Sequence, residues 1–353
     1  MFTFKKNSVA KPESGNEGIV LIVVLWIMTA LAVLTLSFTR ESRIEIMTAY
    51  NARSMEKAYY VARAGMEHTI YQIVQRRMAS SRSTAMSAVN EETDPDPVDV
   101  GLVSGSFDGG FWQVNVRDES GKLNINTVSE QQLGALILAA GIEDPDARVL
   151  IDSILDWRDT DSTIRSDGAE TDYYESLDPP YKAKNGRFEA VEELLLVRGM
   201  TRDYFYGKPV RSGDGTVEYK YGLSRFLTVY STRDQVNVNH AALPVLLSIP
   251  GMPPEAAQMI YERRLTQPFR ATAEITSEIP FPMGAGVLNR LSTAQTGVFA
   301  LTAEAHEEGS RARRVIRAVI NLTSGTSANS AGGQNLYQIL YWNENISDYE
   351  GGT

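Results

Sequence analysis

Residues 19–38, IVLIVVLWIMTALAVLTLSF, constrain this chain more than any other stretch. The run carries no charge, and about 20 residues of helix rise about 30 Å, the depth of a bilayer's hydrocarbon core. It is long for the apolar part of a secretory signal, and no small-x-small cleavage site follows it. Arg40, Glu41 and Arg43 come directly after and belong in water. Lys5, Lys6 and Lys11 precede it and favour a cytoplasmic leader. The expectation is a single-pass membrane protein with nearly all of its mass on the far side.

Helical patterning continues past the apolar run. Between residues 41 and 78 the only helix breaker is Gly65. Ala58, Val61, Ala62, Gly65, Met66, Thr69, Ile70 and Ile73 recur at steps of three and four, which makes one apolar stripe. One long helix over residues 19–78, apolar all round and then amphipathic, accounts for this. A plain signal anchor followed by a separate helix is the alternative.

Composition excludes several chemistries. The net charge of -10 opposes a surface built to grip phosphates. Without cysteine there are no disulfides, thiolate metal sites or cysteine nucleophiles. The histidines, His68, His240 and His306, lie far apart and show no metal-ligand spacing.

Beyond the long helix, residues 80–110 are rich in Ser, Asp, Pro and Gly and suggest a loop or linker with room for a short helix inside it. Residues 111–117, FWQVNVR, alternate as a strand. Helical spacing follows over 128–140 and 146–157, and an apolar helix over 188–200 is closed by Gly199. Residues 226–238 look like strands, and 239–249 with 253–264 like a helix pair. Residues 297–305 and 314–323 alternate as strands around the turn HEEGSR. Residues 324–334 form a flexible connection, 335–342 a last strand, and the end a loose tail.

Part of the chain is repeated. KLNINTVSEQQLGALILAAGI resembles QVNVNHAALPVLLSIPGM, and GRFEAVEEL later matches QPFRATAEI in the same order. Two similar small helical modules are expected. LLLVRGM and LLSIPGM look like helix-hairpin-helix turns, in which Gly lets the chain reverse. Such a hairpin either binds phosphate through backbone N–H groups or serves only as a packing unit. The carboxylates between residues 144 and 178 disfavour DNA.

Those carboxylates are the most chemical feature. Asp156, Asp159, Asp161, Asp167, Glu170, Asp172 and Glu175 crowd one stretch, where they must be solvated or bridged by a cation. Calcium prefers hard oxygen ligands. Counted from Asp159, the stretch partly imitates an EF-hand, with Asp161, Thr163 and Glu170 at ligand positions, but Ile164 stands where the sharp turn needs Gly. A solvated loop and a calcium loop both remain open on spacing alone, and a catalytic carboxylate pair is a third reading.

A basic leader ending in Gly18, then an apolar helix that turns amphipathic, resembles type IV pilins and type II secretion pseudopilins. The resemblance implies cleavage by prepilin peptidase between Gly18 and Ile19, with methylation. Most such subunits carry Glu as the fifth mature residue, and here it is Val23. That departure, together with VLWIMTALAVLTLSFTRESRIE, DWRDTD, GAETDYY and FEAVEELLLVRGM, resembles protein K of the type II (general) secretion pathway, a minor pseudopilin. The resemblance covers most of the chain.

It implies an α+β fold in which the long N-terminal helix, its first part transmembrane, packs on a pilin-like antiparallel sheet with an inserted helical domain of helix-hairpin-helix or SAM-like repeats. The expected divisions are leader 1–18, helix 19–78, loop and first strands 79–126, helical domain with acidic loop 127–222, strands 223–240, second helical module 241–290, C-terminal strands 291–345 and tail 346–353. The resemblance also implies calcium, with Asp159, Asp161, Glu170 and Asp172 as first ligand choices and Asp156, Asp167 and Glu175 as further ones. It implies no catalysis, a place in the bacterial inner membrane with a periplasmic bulk, and a role at the pseudopilus tip. The implied partners are I-like and J-like minor pseudopilins (an H-like one is a further candidate), prepilin peptidase and the inner-membrane assembly platform. A membrane-anchored helix-hairpin-helix DNA-binding protein of a competence-type system is the alternative, and an anchored hydrolase using the acidic loop is a second rival.

Overall fold

The computed structural model describes residues 17–87, 101–211, 217–231, 233–322 and 336–344. The leader through residue 16, the connection over 324–334 and the tail lie outside these. The chain forms two compact units, residues 1–57 and 58–353.

Helix α1 runs Glu17–Ser87 and spans both. In the first unit its apolar residues, from Ile19 to Phe38, are exposed all round. Its most apolar window has a mean hydropathy of 2.9 with none of it buried, long and apolar enough to cross a membrane. In the second unit the expected stripe is buried: Ala58, Val61, Ala62, Gly65, Met66, Thr69, Ile70 and Ile73 all face inward. The helix continues beyond Met78 into the stretch expected to be linker.

The stripe packs on a five-stranded antiparallel sheet. Strands β1 (Leu102–Phe107) and β2 (Gly110–Asp118) open it. β1 was not expected, because Gly and Ser give it little strand propensity. Its signal was the Asp108-Gly109 pair, both at positive φ, which makes a tight hairpin turn. On β2, Trp112, Val114 and Val116 meet Val61, Met66 and Ile70 of the helix. Each fully buried side chain of this size contributes about 1.5–3 kcal/mol. Gly65 allows the closest approach, since a Cβ there would lie 2.6 Å from Trp112 Cδ2.

Between β2 and its sheet neighbour the chain makes a long excursion. In order come β3 (Leu123–Asn124), α2 (Glu130–Ala139), α3 (Asp146–Arg158), α4 (Thr171–Glu175), α5 (Arg202–Tyr206), β4 (Lys208–Arg211), β5 (Val217–Lys220), β6 (Leu227–Thr228), β7 (Val236–Asn237), α6 (Leu243–Leu247), α7 (Pro254–Thr266), α8 (Thr272–Glu278), α9 (Ala285–Leu288) and β8 (Leu291–Ser292). β9 (Val298–Glu307), β10 (Arg313–Leu322) and β11 (Tyr337–Asn343) complete the sheet in the order β1-β2-β9-β10-β11.

The strands expected over 226–238 are only two-residue ladders: β6 pairs β3, and β7 pairs β8, both parallel. The apolar helix expected over 188–200 is a 3-10 turn, Val191–Leu196, and Gly199 then reverses the chain at φ 83°. The excursion has its own core, which includes Leu133, Leu136, Ile154, Trp157, Leu246 and Ile260.

Candidate functional site

The excursion repeats one module down to its hydrogen bonds. In the first copy Asn126 gives its side-chain N–H to Phe188 O (2.9 Å) and accepts Phe188 N–H (2.8 Å). In the second, Asn239 does the same with Phe269, both at 2.8 Å. Arg158 donates to Ile125 O, as Arg264 does to Val238 O. Glu193 accepts from Ala190 N–H and Glu189 N–H, and Glu274 from Arg270 N–H. Gly141 and Gly251, at φ 90° and 83°, turn α2 into α3 and α6 into α7.

The copies differ at one place. In the second, α7 ends at Thr266 and Phe269 follows almost at once. In the first, residues 159–187 intervene between α3 and Phe188. This insertion is the acidic loop. Its apolar side is anchored: Tyr174 is fully buried and stands edge-on to Trp157 at 5.1 Å. Arg198 donates to Gly168 O at 2.7 Å and, through its backbone N–H, to the Tyr174 hydroxyl at 3.2 Å.

The loop's other side gathers oxygen. Asp156, in the last turn of α3, is fully buried because the helix's apolar face (Leu150, Ile154, Trp157) is turned inward around it. Its Oδ2 accepts Arg165 N–H at 3.2 Å, and Oδ1 lies 3.4 Å from Arg165 Nε. Asp159 ends the helix in extended conformation. Glu170 precedes α4 without capping it. Asp156 Oδ1, Asp159 Oδ1, both Glu170 oxygens and Asn185 Oδ1 are buried with no hydrogen-bond donor. Asn185 is fixed by donating to Asp161 O at 2.7 Å. Gly168 leaves no room for a side chain, since a Cβ would fall 2.0 Å from Asp156 Oδ2.

The titration of these groups follows from crowding. Burial, then the charge of Asp159, pushes Asp156 above the usual carboxylate range. Burial and Asp161 push Asp159 up. Burial raises Glu170, with Asp156 and Asp159 adding to it and Asn185 opposing. Arg165, half-exposed, is a cation at this cluster and is shared with Glu130 at 3.3 Å.

The expected site residues therefore divide. Asp156, Asp159 and Glu170 are near enough to feel one another's charge. Asp161 is exposed, and its carboxylate accepts Thr163 N–H at 2.8 Å, which lowers it. Asp172 and Glu175 are exposed, and Glu175 faces Lys182 at 3.8 Å. Asp167 is half-buried and donates its N–H to Asp152. Among the described residues no three His, Cys, Asp or Glu side chains already stand in a metal-holding group. The oxygen set depends on Asn185, a residue that sequence reasoning passed over because its signal was tertiary. At the other end of the chain, Gly18 and Ile19 lie within the first turns of α1, and Val23 is half-exposed.

Known proteins of similar sequence and fold share one description. A family model described as type II secretion system (T2SS), protein K matches residues 114–206. Type II secretion system protein K of Pseudomonas aeruginosa is 24% identical over 75% of this chain and 77% of its own length. The Aeromonas hydrophila protein of that name is 26% identical over 52% of this chain and 59% of its own. The Pectobacterium carotovorum one is 26% identical over 54% and 61%. Among solved structures, a chain of the GspK-GspI-GspJ complex of enterotoxigenic Escherichia coli superposes with a TM-score of 0.51 at 18% identity, covering 80% of this chain and 99% of that one.

Proposed function

The chain belongs to the type II secretion system protein K family, and on that premise we propose that this minor pseudopilin caps the tip of the periplasmic pseudopilus. The carrying observation is the junction of two features. An apolar helix continues into a helix packed on an antiparallel sheet, which suits bundling beside sister subunits. Between two adjacent strands of that sheet sits a large two-module insertion, which would obstruct a subunit added above it. Val23, apolar where fibre subunits carry a carboxylate, fits a first subunit rather than a repeating one.

Its partners on this reading are I-like and J-like minor pseudopilins, supported by the GspK-GspI-GspJ assembly of the structural neighbour. Prepilin peptidase and the inner-membrane platform complete the set, with the bulk of the chain in the periplasm. The work is assembly, not catalysis. The insertion corresponds to helix-hairpin-helix or SAM-like repeats. Nucleic acid is disfavoured at their turns: Gly141 is followed by Pro145 and Gly251 by Pro253 and Pro254, and proline removes N–H donors that a phosphate would need. The test is co-purification of the full chain with I-like and J-like subunits from detergent. A stable complex is expected, and three separately eluting proteins would refute the reading. A bulky residue in place of Gly18 should block processing, and a mature N-terminus other than Ile19 would refute the cleavage site.

The acidic loop fits calcium. Five buried oxygens without donors, four of them on three carboxylates that repel one another, form the hard donor set this ion takes. Asp156, Asp159, Glu170 and Asn185 would hold it, and Asp161 and Asp172 would remain in solvent. Bound there, the ion would neutralise the cluster and fix residues 159–187 on the first module.

A further inference from the structure

Within the acidic loop, the backbone and the side chain of Arg165 are held differently. The backbone is fixed. Its N–H donates to Asp156 Oδ2 at 3.2 Å, and its carbonyl accepts Gly168 N–H at 3.1 Å, which closes a tight turn. A side chain at Gly168 would collide with Asp156 and crowd Arg165, so this turn sits flush on the last turn of α3. The Arg165 side chain has more freedom. It is 40% exposed and stands between two carboxylates. Nε lies 3.4 Å from Asp156 Oδ1, and Nη1 lies 3.3 Å from Glu130 Oε2 at the start of α2.

The two oxygens of Asp156 therefore differ. Oδ2 is bound to the loop backbone, whereas Oδ1 has the guanidinium nearby but no hydrogen-bond donor. Oδ1 is also one of the five buried oxygens that suit calcium. A guanidinium and a metal cation at Oδ1 are alternatives, because two positive charges held there repel each other. Two neighbouring arginines are engaged elsewhere. Arg158 donates to Ile125 O and Val128 O, and Arg198 to Gly168 O. The influence of Arg165 reaches past Asp156: burial and Asp161 raise Asp159, and the charge of Arg165 opposes them.

We propose that Arg165 is a built-in competitor of the cation bound by the acidic loop, and so sets the affinity of that site. The proposal rests on the calcium reading of the loop. Without the ion, the guanidinium lies against Asp156 and offsets part of the crowded negative charge. With the ion, the side chain gives up Oδ1 and keeps Glu130, while the backbone N–H goes on holding Oδ2. The turn stays on α3 in both states, and only the occupant of Oδ1 changes.

Titration calorimetry of the full chain in detergent with calcium chloride tests this, together with thermal melts in chelator and in saturating calcium. Arg165→Gln should bind calcium about tenfold more tightly than the wild type, since a repelling charge beside the site is gone. The same variant should melt below the wild type in chelator and lose that deficit in saturating calcium. Arg165→Lys keeps the charge and should return both values toward the wild type. Arg148→Gln, whose arginine pairs with Asp144 in solvent at the other end of α3, makes the same change of net charge and should alter neither. An affinity that Arg165→Gln leaves unchanged or weakens overturns the proposal while the calcium reading stands. So does a deficit of equal size in chelator and in calcium, the mark of a merely structural residue. Failure of both the wild type and Arg165→Gln to bind calcium removes the calcium reading and this proposal with it. Should Arg165→Gln be unfolded in chelator, folding on addition of calcium supports the competition, and a chain that folds in neither condition overturns it.

Discussion

Replacing Asp159 by Asn should have opposite effects with and without calcium. Five oxygens (Asp156 Oδ1, Asp159 Oδ1, both of Glu170, and Asn185 Oδ1) are buried without donors. Each such group costs about 1–3 kcal/mol, so the metal-free cluster carries a penalty on the order of 5–15 kcal/mol as an upper bound. Because Asp156, Asp159 and Glu170 are all raised, the folded state holds their protons more tightly than the unfolded chain does. Metal-free stability must therefore fall as pH rises from about 4 through the raised values, and then level off. On the calcium proposal the ion would bind the ionised form and cancel that fall.

Asp159→Asn deletes one of the mutually repelling charges, so in chelator at pH 7.5 the variant should be more stable than the wild type by about 1 kcal/mol. With calcium at 100 times its Kd, the wild type gains about 2.7 kcal/mol. At about 2–4 °C per kcal/mol, that is a rise of about 5–11 °C in Tm. If the lost ligand weakens binding about 100-fold, the variant gains only about 0.4 kcal/mol at the same concentration. Thermal melts by circular dichroism, at pH 5 and pH 7.5, in chelator and in calcium, supply the numbers. Equal calcium shifts in both proteins, or a metal-free wild type that gains stability on going from pH 5 to 7.5, would refute the reasoning.

Other outcomes follow from single contacts. Gly65→Val forces a side chain into Trp112 and should cost about 1–3 kcal/mol in urea unfolding, the usual range for overpacking. Asp118, pushed up to about 6 by burial, makes the folded state lose stability as pH rises from about 4 through 6, by about 3 kcal/mol at most. Asp118→Asn, measured in saturating calcium, should remove that slope while still accepting Ser120 N–H. Asn126→Ala and Asn239→Ala each break the same pair of hydrogen bonds and should cost similar amounts, about 1–3 kcal/mol each. A large effect of one and none of the other would deny the structural repeat.

Legibility in the sequence tracked how local each cause was. The apolar run and the Ala58-to-Ile73 stripe depend on composition and period, and the structure buries that stripe residue for residue. The alternation of β2 was equally plain. The repeat was visible because paired Asn and Phe recur in order, though the bonds joining them were not. β1 was hidden by its Gly and Ser, although Gly105 is there to accommodate Trp112. In the acidic loop the sequence shows which residues are acidic but not which way they face. Asp156 is sunk by the apolar face of its helix, and Asp161 is turned outward by its bond to Thr163. Asn185 and Gly168 matter only through what folding brings beside them.

Asp118, the last residue of β2, lies directly across from Phe299 of β9, so residues 119–297 leave and re-enter the sheet at one point. To the sheet, the whole insertion is a turn. An unfolded turn of that length would make the β2–β9 pairing expensive in chain entropy, whereas a folded one presents its two ends already side by side. A folding route in which the modules form first and the sheet then closes on them avoids that cost. On that route a lesion deep in either module would show itself as a failure of strand pairing, far from the altered residue.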